Sequence, residues 1–200
     1  MALQEGIEER KKDVQIVKMK TQSIFNLSTQ YVLIIGLLIV FNTIQGGAQV
    51  KYSVKSEVGF LKYRFHTVRV DPGPNWKGYN LDKKDGIDIS LVNGVEFNQT
   101  LSVGIGARYY NFEGVNGLAL YSDFEYLPLR SRLTPLINLQ IGYCHLWNQY
   151  QNGTGTGLGE LNVGLYFRLT DKAGFYAKSG FLLTQQSLLI PIKGGIKLSF

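Results

Sequence analysis

The stretch Pro191-Ile-Lys-Gly-Gly-Ile-Lys-Leu-Ser-Phe200 decides how this chain reads. Successive side chains of an extended strand point to opposite faces. Ile192, Ile196, Leu198 and Phe200, with Gly194, therefore share one face, and Lys193, Gly195, Lys197 and Ser199 share the other. One face is apolar and the other carries charge, at a strict period of two. Such a strand fits a barrel wall that touches lipid outside and is wet inside.

Working back from this segment, seven more stretches alternate in the same way: residues 174–184, 158–169, 136–147, 118–127, 101–110, 87–97 and 50–60. A tilted strand needs about 9–11 residues to cross a bilayer, and these lengths suit that span. The fold class expected is all-β, an eight-stranded antiparallel up-and-down transmembrane β-barrel. With an even strand count both ends of the barrel sequence fall on one side. Residues 64–85 and 148–157 then become outer loops, while 98–100, 128–134 and 170–172 become inner turns. Asp71-Pro-Gly-Pro74 in the first outer loop rules out a central strand there.

Charge divides between the two faces. The outward rows of the eight expected strands hold no Asp, Glu, Lys or Arg. The inward rows hold Lys51, Lys55, Arg108, Arg168, Lys178, Lys193 and Lys197 against Glu57, Asp88, Glu96, Asp123, Glu125 and Glu160. A charge facing lipid at mid-membrane costs roughly 2–4 kcal/mol, whereas a soluble ligand-carrying barrel puts its apolar face inside. Aromatic residues gather near the strand ends, Phe97, Tyr126, Phe167, Phe175 and Phe200 at the inner rim and Phe60, Tyr109 and Trp147 at the outer, as membrane interfaces favour. Eight strands enclose an interior just wide enough for side chains, so the nearly balanced inward charges are expected to close the lumen as a salt-bridge network. A narrow ion path lined by the same groups is the alternative.

Composition agrees with this reading. Charged residues make up 18% and aromatics 12%, with 23 glycines, the mix that many short strands and tight turns require. Mean hydropathy sits near zero, because alternation hides a barrel from that test. Upstream, the apolar run Tyr-Val-Leu-Ile-Ile-Gly-Leu-Leu-Ile-Val-Phe at 31–41 follows Lys18 and Lys20 and precedes Gly46-Gly47-Ala48. It is shorter than the roughly 20 residues of a spanning helix and has the order of a cleavable signal segment. The expected organisation is a targeting segment over 1–48 and a barrel over 49–200. Residues 4–20 are long for the charged start of such a signal, so the true start is either Met19 or Met1. No Cys follows the apolar run, so a lipid anchor is not expected there. Residues 49–200 carry 16 Lys+Arg against 11 Asp+Glu. This balance suits anionic lipopolysaccharide and is too mild for nucleic acid.

Candidate chemistry is sparse. Cys144 is the single cysteine, which excludes an internal disulfide and suggests neither a metal cluster nor a catalytic thiol. His66 and His145 are the two histidines, and neither has a Ser beside it. Gly153 to Gly159 is glycine-rich but lacks the Lys and the helix of a phosphate loop. No cofactor and no metal are expected. The first outer loop offers Arg69, Trp76, Lys77 and Tyr79, a basic and aromatic mixture common in recognition surfaces. A separate partner and the anionic sugars of the outer leaflet both fit it.

In its alternation, upstream apolar segment and terminal Phe200, the chain over 50–200 resembles small eight-stranded bacterial outer-membrane β-barrels of the OmpA and OmpX type, within the wider porin-like group. The resemblance implies location in the bacterial outer membrane. It also implies recognition of the last strand, ending at Phe200, by the barrel-assembly machinery. It does not bring the wall-binding domain that follows the barrel in OmpA. A structural or surface-interaction role is expected. The alternatives are a lipid A-modifying enzyme, since some such barrels are deacylases or acyltransferases, and a narrow channel.

Overall fold

The computed structural model describes residues 50–67, 81, 83–147 and 153–200. The expected targeting segment, 1–48, lies outside them. The strands are β1 (Val50–His66), β2 (Gly86–Phe97), β3 (Leu101–Phe112), β4 (Val115–Tyr126), β5 (Leu133–Leu146), β6 (Thr154–Thr170), β7 (Ala173–Thr184) and β8 (Ser187–Ser199). Each pairs antiparallel with its chain neighbour, and β8 returns to β1 to close the barrel. The opening segment therefore has two partners. Lys197 lies opposite Lys55 of β1, and Lys193 lies opposite Lys178 of β7.

All eight expected strands are present, but several run further toward the outer end. β1 continues past Phe60 because β8 keeps pairing with it up to His66 opposite Ser187, with a bulge between Tyr63 and Phe65. β6 begins at Thr154, opposite Leu146, so part of the expected 148–157 loop is strand. β3 and β4 are joined by a two-residue turn, Glu113-Gly114, with φ of 47° and 93°. Asn98-Gln99 and Gln185-Gln186 also carry positive φ at both positions. Left-handed turns of this kind match the twist of the strands they join. At the inner end the 128–134 turn is shortened, since β5 already begins at Leu133.

The wall has the expected sense. Ile89, Leu91, Ile105, Leu120, Ile141, Val163, Phe181 and Ile192 are exposed on the outside. The β1 extension is a correction to the charge-free exterior, because it carries exposed Lys62 and Arg64 above the apolar belt.

Inside, the buried side chains form three layers. Near the outer strand ends Leu61, Tyr110, Phe112, Val115, Leu146, Leu158, Leu182 and Leu189 form one apolar cluster, joined by Leu81 from the first outer loop. Charged and amide side chains occupy the middle. Leu127, Leu136, Tyr166 and Tyr176 make a second apolar cluster near the inner ends. Glycines let the tyrosines lie flat on the neighbouring strand. A Cβ at Gly106 would sit 2.4 Å from the Tyr121 ring, and one at Gly195 would sit 2.6 Å from the Tyr176 ring.

Candidate functional site: lumen, mouths and inner rim

Carboxylates enter the middle layer from β1, β2, β4 and β6, Lys55 from β1, Arg108 from β3, the amides Asn138 and Gln140 from β5, and lysines from β7 and β8, so the layer ties the closing seam to the rest of the wall. Toward its outer side Arg108 meets Asp88 through Nε at 3.0 Å and Glu160 through Nη1 at 2.5 Å. Lys193 reaches the same two carboxylates at 3.1 and 2.6 Å. At mid-height Lys178 pairs with Glu57 at 2.6 Å, and Glu57 also accepts hydrogen bonds from the Tyr176 and Ser90 hydroxyls at 2.8 and 3.2 Å. Below, Lys55 contacts Asp123 and, at 3.0 Å, Glu125. Lys197 bridges Glu125 at 2.9 Å and Glu96 at 2.5 Å.

Amides join these groups into one chain. Asn138 and Gln140 each donate to Asp123 at 2.8 Å, and Lys178 donates to the Asn138 oxygen at 2.8 Å. Arg108 donates to Gln140, and its guanidinium lies 4.7 Å from the centre of the Tyr121 ring. Buried charges are tolerable when paired and hydrogen-bonded in this way, while removing one partner of a buried pair typically costs about 3–5 kcal/mol.

Two residues expected in this network stand apart from it. Lys51 is half-buried and donates from Nζ to the Asp171 carbonyl at 3.1 Å. Arg168 donates to the carbonyls of Arg130 and Gln99 at 2.8 and 3.4 Å. Both lie on inward rows, but at the inner strand ends, where turn carbonyls are nearer than carboxylates. The other eleven, Lys55, Glu57, Asp88, Glu96, Arg108, Asp123, Glu125, Glu160, Lys178, Lys193 and Lys197, are all buried.

At the outer mouth, Arg69, Trp76, Lys77 and Tyr79 lie outside the described residues. The far end of their loop is not purely surface. Leu81 is buried in the outer cluster, and its N–H donates to the Ser187 hydroxyl at 3.3 Å. Asp85 accepts from the Tyr63 N–H at 2.8 Å and from Lys62 at 2.5 Å. The Lys62 hydrogen bond, helped by the Tyr63 N–H, holds the Asp85 carboxyl below its ordinary range. Gln185 turns inward from the β7–β8 hairpin and exchanges hydrogen bonds with Thr154 at 3.1 Å each. His66 packs edge-on to Tyr63 and His145 to Trp147, with centroids 5.5 and 5.0 Å apart.

The inner rim holds a feature that sequence spacing does not announce. An open cleft of about 620 Å³ is lined by Gln99, Arg130, Arg132, Arg168, Leu169 and Asp171, among others. Phe200 also lies at this end. Its N–H donates to the Tyr52 carbonyl at 2.8 Å, and its own carbonyl accepts from the Tyr52 N–H at 3.2 Å.

No protein-family profile matches the chain, and no curated protein matches it. Solved structures do. Neisserial surface protein A (NspA) aligns at 10% identity over 77% of this chain and 99% of its own, with a TM-score of 0.53. The N-terminal β-barrel domain of Pseudomonas aeruginosa OprF aligns at 14% identity over 76% of this chain and 100% of its own, with a TM-score of 0.50. At such identities the likeness is one of fold. The chain has the fold of the small eight-stranded barrels of bacterial outer membranes.

Proposed function

We propose that this protein resides in the bacterial outer membrane as a closed barrel and acts through what it presents at its surface, without conducting solute. The reading rests chiefly on one observation, the coexistence of an apolar exterior with buried, paired charges that lie inside the barrel between two buried apolar clusters. The exterior demands lipid, since so continuous an apolar surface in water would drive association. With the buried charges paired inside, the loops are the parts offered for contact. The long first loop and the 147–153 connection then face outward, and the strand ends at Val50 and Phe200 face the periplasm. Lipopolysaccharide is the natural neighbour of the outer loops, and the last strand is the segment offered to the assembly machinery.

Two measurements test this. The protein is expected to fractionate with the outer membrane and to change its gel mobility on boiling, because a closed hydrogen-bonded barrel resists detergent. A soluble fraction with one heat-independent band would contradict the membrane reading. Removing residues 68–79 while keeping Leu81 and Asp85 should leave the barrel folded and weaken contact with lipopolysaccharide or another surface partner. Within that loop Trp76 and Tyr79 should matter most, because aromatics cover large areas with few rotors to freeze. Arg69 and Lys77 should chiefly set the salt dependence. Full retention of every surface interaction by the shortened, folded protein would remove this loop from the account.

A further inference from the structure

We propose that the arginine cleft at the inner rim binds the phosphate headgroup of an anionic phospholipid from the membrane leaflet on that side. The inference rests on the membrane placement and orientation proposed above.

Arg130 and Arg132 come from the β4–β5 connection and Arg168 from the inner end of β6. The register of β5 on β6 brings them together, Leu133 lying opposite Phe167. The scaffold is held by backbone bonds: Arg168 N–H donates to the Arg132 carbonyl at 2.7 Å, and Leu127 N–H to the Thr100 carbonyl at 2.7 Å. The Arg168 side chain is fixed by its donations to the Arg130 and Gln99 carbonyls. These two bonds leave further guanidinium N–H groups unused. Among the described residues no carboxylate lies within ion-pair distance of these three guanidinium groups. Asp171 contributes one negative charge to the lining, which stays net positive. Guanidinium groups bind phosphate bidentately and strongly.

The surroundings select a lipid rather than a soluble phosphate. The Arg132 guanidinium lies 5.0 Å from the centre of the Phe167 ring. Phe167 belongs to the outward, lipid-facing row, as do exposed Leu133 and Leu169, and Leu129 is exposed beside them. Arg132 thus joins the cleft to the lipid-facing apolar row, while Arg168 reaches the cleft from the inward row of β6. Basic residues near a membrane surface each favour anionic lipid measurably.

The test uses the whole barrel, refolded into phosphatidylcholine vesicles containing phosphatidylglycerol, then released and examined by native mass spectrometry for retained lipid. Wild type should keep one phosphatidylglycerol, preferred about tenfold over phosphatidylcholine. The preference should fall to near parity in Arg130→Gln/Arg132→Gln, which leaves Arg168 to its structural bonds, and in the triple variant with Arg168→Gln. Millimolar inorganic phosphate should not displace the lipid. Inserted, heat-modifiable wild type with no preference, an unchanged preference in the double variant, or full displacement by inorganic phosphate would each overturn the lipid site. Failure of wild type to insert, read by protease protection in the same vesicles, would overturn the membrane reading together with it, and that arm tells the two failures apart.

Discussion

The middle of the lumen and its outer mouth solve the same problem by opposite means. Both must pack side chains into a narrow barrel. The middle does it with charge: Arg108, Lys193, Lys178, Lys55 and Lys197 interleave with six carboxylates, and Asn138 and Gln140 join the pieces. The mouth does it with hydrocarbon, where Leu61, Phe112, Leu146, Leu182 and Leu189 pack together and Leu81 drops in from the loop above. Each solution has its own depth in the barrel. Lipid excludes charge from the outside of the wall, so charge in the middle can only point inward, where it must be paired. Nearer water the same inward positions are free to be apolar, and there they form a buried cluster above the ionic layer.

If that division holds, damage to the ionic layer should be the larger. Arg108→Ala leaves Asp88 and Glu160 with Lys193 alone, and a loss of about 3–5 kcal/mol is expected in urea unfolding from detergent or vesicles. The sharper version is a pair. Lys178→Met and Glu57→Leu should each destabilise alone, and the double change should cost less than either, because an apolar replacement of a whole buried pair is often neutral. A double variant as damaged as the sum of its parts would show that the amides and hydroxyls around Glu57 carry the stability instead. In the outer cluster, Leu182→Ala removes buried volume and should cost about 2–4 kcal/mol by the same unfolding assay. It should also speed hydrogen exchange in the outer halves of β7 and β8 before the inner halves.

The smallest effect is expected at the rim of the mouth. The folded Asp85 carboxyl titrates below its unfolded value. Its contribution is therefore present above about pH 4, the ordinary carboxylate value, and is lost as pH falls through the lower folded value. Since Lys62 is half exposed, the contribution should stay within about 1 kcal/mol. Unfolding midpoints of wild type and Asp85→Asn should therefore differ slightly at neutral pH and converge in acid.

The two regions also differ in how plainly the sequence announces them. Charge on alternate residues is a local signal, so the ionic layer could be read from Lys193 and Lys197 outward to Asp88 and Glu160. The outer cluster could not. Leu61 falls just past the expected end of the first strand, and Leu182 sits in Phe181-Leu-Leu183, where both faces are apolar and the alternation vanishes. Lys51 and Arg168 have the parity of network members, but parity does not report depth, and at the strand ends turn carbonyls capture them. The inner cleft is less visible still. Arg130, Arg132 and Arg168 belong to different connections, and only strand register brings them together.

A barrel that spans a membrane with its lumen closed should carry no current. Purified protein reconstituted in a planar bilayer tests this most directly, with insertion checked on the same sample by heat-modifiable mobility. Wild type should show no stable ohmic conductance. Reproducible single-channel steps, altered in size or selectivity by Arg108→Ala or Glu125→Gln, would contradict closure and make the ionic layer the lining of a pore.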